Sequence, residues 1–175
     1  MHILFVCTGN ICRSPIAERL AVAYDGGQIP GFIATSAGTR AVVGHAIHQD
    51  AARVLEELGA NASDFAARLL THKVASSADL VITMTREHRD VVLEAAPRQI
   101  RRTFTLSEAA YLASDPSVLT LSDLAVHRPL MTAGKMPDIP DPIGQSPAVF
   151  ATVGSQIDAL LRPILVLCKR SATDV

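Results

Sequence analysis

The chain has 175 residues, 49% of them hydrophobic and 19% charged, a balance that excludes a disordered polypeptide, and its longest apolar runs read as far too short to cross a membrane. Its formal net charge of −1 gives no broad field that would draw in nucleic acid or a membrane surface, so any basic site must be local. Three cysteines, Cys7, Cys12 and Cys168, are too few for a disulfide framework and lack the paired spacing of a zinc site. The length fits one domain over residues 1–175. The N-terminus runs straight into a strand, without the basic region, long apolar stretch and cleavage site of a leader, which points to the cytoplasm.

Ile3-Leu4-Phe5-Val6 reads as a buried first strand and Pro15 to Ala21 as the start of a helix. Between them lies Cys7-Thr8-Gly9-Asn10-Ile11-Cys12-Arg13-Ser14. A loop that joins the end of a strand to the start of a helix collects backbone N–H groups without helical acceptors, and the helix dipole adds positive charge, so it binds anions. Cys7 at its entrance is placed where such amides stabilise a thiolate nucleophile. Arg13 carries a planar fork that pairs bidentately with two phosphoryl oxygens. Gly9 lets the backbone curl around a ligand, and Asn10 tolerates the left-handed region. Ser14 is a natural N-cap with Pro15 at the first helical position, and its hydroxyl is within reach of the cysteine sulfur.

Further along, Ile16, Leu20 and Ala23 keep helical spacing until Gly26-Gly27. Phe32 to Thr35 reads as a second strand closed by the turn Ser36-Ala37-Gly38-Thr39. A helix is expected from Ile47 to Leu58, a central strand over Ala78–Met84 beside the first, and a helix from Arg86 to Ala95 that Pro97 ends, with His88 on its surface in no catalytic role. Thr103 to Leu106 reads as a fourth strand. From Ser107 to Lys135 the sequence suggests turns at Asp115-Pro116, Arg128-Pro129 and Ala133-Gly134-Lys135 around a short helix. The last helix is expected over Ala148–Cys168, with Val149, Val153, Ile157, Leu160, Leu161 and Ile164 in a stripe, broken or bent near Pro163. Alternating strands and helices predict an α/β fold: a four-stranded parallel sheet with right-handed crossovers and helices on both faces, its phosphate loop between strand one and helix one.

Breaking a phosphate ester also requires protonating the leaving oxygen. Pro140-Asp141-Pro142 offers a carboxyl on a rigid turn, held extended by the following proline; Asp138 is the nearby competitor, ranked below it.

Cys7 to Arg13 followed by Ser14 and Pro15 resembles the CxxxxxR(S) signature of the low-molecular-weight protein tyrosine phosphatases, which carry it after the first strand, as here. The resemblance implies that Cys7 attacks phosphorus, that Arg13 and the loop residues Thr8, Gly9, Asn10, Ile11, Cys12 and Ser14 bind the phosphoryl group, and that Asp141 is the general acid. A cysteinyl-phosphate then forms and is hydrolysed, with no metal and no cofactor. It further implies that Ser36 braces Asn10. The family's histidine that also holds this asparagine falls at Phe65, followed by the matching Arg68, so the second brace has no evident counterpart; His72 is not an obvious substitute. Cys12 either fills the loop's interior or captures an oxidised Cys7 as a disulfide.

For the substrate, Pro142 is followed by Ile143 and Gly144 where tyrosine-specific members place aromatics, which resembles the branch containing protein arginine phosphatases. Those place threonine where this loop has Ile11, and isoleucine is the tyrosine-phosphatase pattern. The expected partner is therefore a phosphoprotein bearing phosphotyrosine, with phosphoarginine or a small aryl phosphate as alternatives; no nucleic acid or membrane is expected, and the oligomeric state is left open with a monomer favoured. Arsenate reduction with a small external thiol, or a silent phosphate-binding module, is the alternative of another class; relatives that reduce arsenate use two further cysteines on a central segment, and this chain has none between Cys12 and Cys168.

Overall fold

β1 (His2–Cys7) is buried along almost its whole length, Ile3 through Val6 showing no exposure. A strand with apolar side chains on both faces must be covered on both, and it is. β2 (Ile33–Gly38) lies on one side of β1 and β3 (Leu80–Thr83) on the other, with β4 (Thr103–Thr105) beyond β3; all pairs are parallel, in the order β2-β1-β3-β4. The structure, a computed structural model, describes residues 1–131 and 136–173.

The helices are α1 (Arg13–Asp25), α2 (Gln49–Glu57), α3 (His72–Ser76), α4 (Arg86–Ala95), α5 (Leu106–Ala113), α6 (Leu121–His127) and α7 (Pro147–Thr173). Because side chains alternate along a strand, Ile3, Phe5 and Cys7 face a large core shared with α1, α2, α5 and α7, while Leu4 and Val6 face a smaller one closed by Ala75 of α3 and Val92 of α4. The expected α/β architecture with helices on both faces is what forms.

Several boundaries differ from the sequence reading. β2 continues through Ser36 to Gly38, in register with Phe5 to Cys7, so this Ser-Ala-Gly run is strand, not turn; pairing with β1 outweighs the turn propensity of small residues. α1 begins at Arg13 with Cys12 in the cap position and no side-chain cap, so Ser14 lies inside the helix and spends its hydroxyl elsewhere. The stretch after β4 folds as α5, α6 and a 3-10 turn over Arg128–Leu130; α5 starts at once because Thr105 and Glu108 form a capping box. The turn expected at Ala133-Gly134-Lys135 lies outside the described residues.

α7 runs on through Pro163 to Thr173. A proline inside a helix costs about 3 kcal/mol, less than the burial of Leu161, Ile164, Leu165 and Leu167 around it returns at roughly 1.5–3 kcal/mol each. By length and composition alone α7 matches a membrane-crossing helix, contrary to the reading of short apolar runs, while its buried stripe packs on α1, α2 and α5.

Candidate active site

The loop between β1 and α1 is held by its carbonyls. Those of Cys7, Thr8 and Gly9 accept the N–H groups of Thr39, Arg40 and Val42, that of Ile11 accepts His48 N–H at 2.7 Å, and that of Cys12 accepts Ile16 N–H. The N–H groups of Gly9, Asn10, Ile11 and Cys12 are left without an acceptor among the described residues. Four unspent donors at the start of a helix make an anion nest. The left-handed residue that curls the loop is Asn10, at φ 55°. Gly9, expected to supply this freedom, keeps an ordinary backbone: a Cβ there would meet the side chains of Ile11 and Val42 at 3.4 and 3.7 Å.

Asn10 is fully buried and organises what lies beneath the loop. Its Oδ1 accepts the backbone N–H of Arg68 at 2.8 Å, which fixes which end of the amide is nitrogen. Its Nδ2 then donates to Ser14 Oγ at 3.0 Å and to Ser36 Oγ at 2.8 Å. Each hydroxyl, having accepted from Asn10, has its own proton to give: Ser36 to Glu18 Oε2 at 2.5 Å, and Ser14 to Cys7 Sγ at 3.0 Å. The chain is thus polarised towards an electron-rich sulfur. Burial raises the Glu18 pKa, and the Ser36 bond opposes that rise. The brace expected from a histidine is supplied by the backbone of Arg68, whose Nε also holds Ser36 O at 2.7 Å. Phe65, at the histidine's position, instead lies under the Arg19 guanidinium.

Arg13, 4% exposed, reaches across the loop: Nη1 donates to Ile139 O at 2.9 Å and Nη2 to Asp141 Oδ2 at 2.6 Å, and Asp141 is 46% exposed at the mouth. The structure therefore brings together Cys7, Arg13 and Asp141, the last two 128 positions apart in sequence. Ile139 N–H donates to Met84 O at 2.8 Å, tying the Asp141 turn to the end of β3. Asp138 faces away, accepting Arg86 N–H at 3.0 Å at the start of α4. Its carboxylate anchors a helix.

Two contributors escaped the sequence reading. His88 is not on the helix surface but 5% exposed, with Nε2 2.8 Å from Thr8 Oγ1 and Nδ1 2.8 Å from Thr85 Oγ1. Thr85 caps α4 and turns the imidazole inward, toward the end of β1. Gly38 lies so near the loop that a Cβ would stand 2.5 Å from Thr8 O, closer than any carbon tolerates. Cys12 is 3% exposed, its thiol pKa raised by burial and by neighbouring Cys7; Cys168, wholly buried in α7, is pushed up to about 12 by burial.

Comparison with known proteins matches residues 2–117 to the family model described as low molecular weight phosphotyrosine protein phosphatase. The chain is 31% identical over 160 residues to a protein-arginine-phosphatase of Geobacillus stearothermophilus, across 91% of this chain and 90% of that protein. It is 42% identical over 95 residues to the low molecular weight protein-tyrosine-phosphatase Etp of Escherichia coli K12, across 54% of this chain and 62% of that one. The solved structure of the Erwinia amylovora tyrosine phosphatase AmsI superposes with a TM-score of 0.74 at 27% identity, covering 94% of this chain and 91% of that chain.

Proposed function

Because the chain belongs to the low molecular weight phosphotyrosine protein phosphatase family and is a phosphatase, we propose that it hydrolyses phosphotyrosine in proteins through a cysteinyl-phosphate, with Cys7 as nucleophile, Arg13 as clamp and Asp141 as general acid. The observation that carries this reading is the set of unspent N–H groups at Gly9, Asn10, Ile11 and Cys12, in the loop that Cys7 opens and Arg13 closes. A phosphoryl group satisfies those donors, and the charge that spreads over its equatorial oxygens in the transition state is met by fixed dipoles and by Arg13.

Cys7 attacks phosphorus in line while Asp141 gives its proton to the departing oxygen. Asp141, now a carboxylate, takes a proton from water as that water displaces sulfur. Ser14, which receives Asn10 N–H and points its proton at Cys7, stabilises the leaving thiolate. Three cysteines, too few for a disulfide framework, support a reducing, cytoplasmic setting.

Phosphoarginine is the second reading. It is favoured by the arginine phosphatase relative, which matches over nearly its full length, and by Ile143, exposed beside Asp141 where stacking aromatics would give about 0.5–1.5 kcal/mol. Ile11 in the loop supports phosphotyrosine. The test pairs two measurements. Cys7→Ser should abolish hydrolysis yet retain inorganic phosphate binding, and wild type should turn over phosphotyrosine peptides faster than phosphoarginine peptides. Turnover by Cys7→Ser would overturn the mechanism; a preference for phosphoarginine would overturn the substrate.

A further inference from the structure

We propose that His88 is a positioning residue which turns the Thr8 hydroxyl into an additional hydrogen-bond donor to the transferred phosphoryl group. The inference rests on the loop being the phosphoryl site, and it concerns a side chain in α4, outside the loop altogether.

Proton accounting carries it. Thr85 Oγ1 accepts the His88 backbone N–H at 3.2 Å as the cap of α4. The same oxygen lies 2.8 Å from His88 Nδ1. With one lone pair taken by the backbone N–H, the Thr85 hydroxyl either donates to Nδ1, leaving the ring proton on Nε2, or accepts from Nδ1–H with its second lone pair. In the first arrangement Nε2–H donates to Thr8 Oγ1 at 2.8 Å. On its other side Thr8 Oγ1 faces Arg13 Nη2 at 3.5 Å, a group that only donates. Both neighbours of the Thr8 oxygen are therefore donors, and its own proton has no acceptor among the described residues. It lies beside the arginine nitrogen that also holds Asp141, where an anion drawn to Arg13 must come.

In the opposite tautomer Thr8 would donate into the imidazole and be withdrawn from the site, and the Thr85 proton would have no acceptor. Burial and then the Arg13 charge hold the His88 pKa down at about 4, so the ring stays neutral near neutral pH, and a phosphoryl oxygen that accepts the Thr8 proton selects the Nε2–H tautomer, in which every proton of the chain is then spent. Capping of α4 accounts for the contact to Thr85. It does not account for a second, equally short bond to a residue 80 positions away.

The test is a double-mutant cycle on Thr8→Val and His88→Leu, read by kcat/KM for an aryl phosphate and by the inhibition constant of inorganic phosphate. Each single change should lower kcat/KM and weaken phosphate by about ten- to a hundredfold, the usual effect of losing a hydrogen bond to a charged group. The double variant should be no worse than either single one, because both remove the same donor. His88→Gln, whose amide presents an N–H at the Nε2 position, should recover most of the loss, and Thr8→Ser, which keeps the hydroxyl, should lose far less than Thr8→Val. Additive losses in the double variant, or unchanged phosphate inhibition in Thr8→Val, would overturn the proposal; Thr8→Val keeps the cycle decisive even where His88→Leu fails to fold. A wild-type protein without phosphatase activity would instead remove the reading beneath it.

Discussion

Arg13 Nη2 donates to Asp141 Oδ2 at 2.6 Å, so the group that would clamp the phosphoryl dianion and the group that would protonate the leaving oxygen are paired with each other. An incoming dianion competes with the carboxylate for the same guanidinium. Exchange of partners frees Asp141 at the mouth of the site, beside the bond to be broken.

The first prediction follows from that competition. Asp141→Asn should cut turnover of phosphotyrosine by about 10²–10⁴-fold, and far less for aryl phosphates whose leaving groups need no proton. Inorganic phosphate should bind at least as tightly as to wild type, since a competing charge is gone. Asp138→Asn, which loses only its contacts to Arg86, should leave both rates near wild type. Steady-state kinetics on two esters decide it: equal losses on both would place the acid elsewhere.

The loop chemistry was legible because Cys7 and Arg13 sit in one short segment and a carboxyl on a proline-flanked turn is conspicuous. Asn10 with Ser36 was legible through the resemblance. The Arg68 brace was not, since any residue at that position supplies a backbone N–H and no side chain advertises it. His88 was missed because helical periodicity says which face a residue takes but not what stands opposite. A signal was present: two neighbouring parallel central strands must end side by side, so Thr8 after β1 and the Thr85-to-His88 turn after β3 had to be adjacent. Gly38 was read as part of a turn because its strand register, paired with Cys7, cannot be seen from one strand alone.

The second prediction concerns Gly38. An added Cβ meets a backbone carbonyl, Thr8 O, at 2.5 Å and Ala41 at 3.0 Å, so the loop itself must shift. Gly38→Ala should destabilise the fold by about 1–3 kcal/mol, the range for overpacking, and should lower kcat/KM through displacement of the loop. Gly9→Ala, whose Cβ finds only ordinary contacts, should change the unfolding free energy much less. Urea denaturation of the pair tests this, and equal stability of the two variants would contradict it.

The third is a pH dependence. His88 titrates at about 4 in the folded protein and near 6.5 when unfolded. Between those values the unfolded chain binds more protons, so the stability His88 contributes is fully present above pH 6.5 and is lost as pH falls to about 4. Arg13 and Arg40 oppose its protonation, while Asp141 and Asp138 favour it. At pH 4.5 wild type should have lost about 2 kcal/mol more than His88→Gln, relative to pH 7. Other titrations, including that of Glu18, are shared and cancel in the difference. Parallel stability curves for the two proteins would show that His88 is not the titrating group.

The fourth concerns Cys12, in the same loop as Cys7 and 3% exposed. Peroxide oxidises a cysteine thiolate to a sulfenic acid with loss of water, and further oxidation is irreversible. If the Cys12 sulfur attacks the sulfenic sulfur, a disulfide forms, a second water leaves, and the ladder stops at a step that a dithiol reverses. Such a bridge needs the two Cα atoms within about 7 Å, which a loop curled at Asn10 allows. Burial keeps Cys12 a neutral thiol until then, so it does not compete with Cys7 for peroxide or for phosphate. Wild type should accordingly be inactivated reversibly, with activity restored by dithiol and a Cys7 to Cys12 link found by mass spectrometry. Cys168, fully buried in α7 with its thiol pushed up to about 12, should stay out of it. Cys12→Ser should lose activity largely for good under the same exposure, and full recovery of that variant by dithiol would reduce Cys12 to packing.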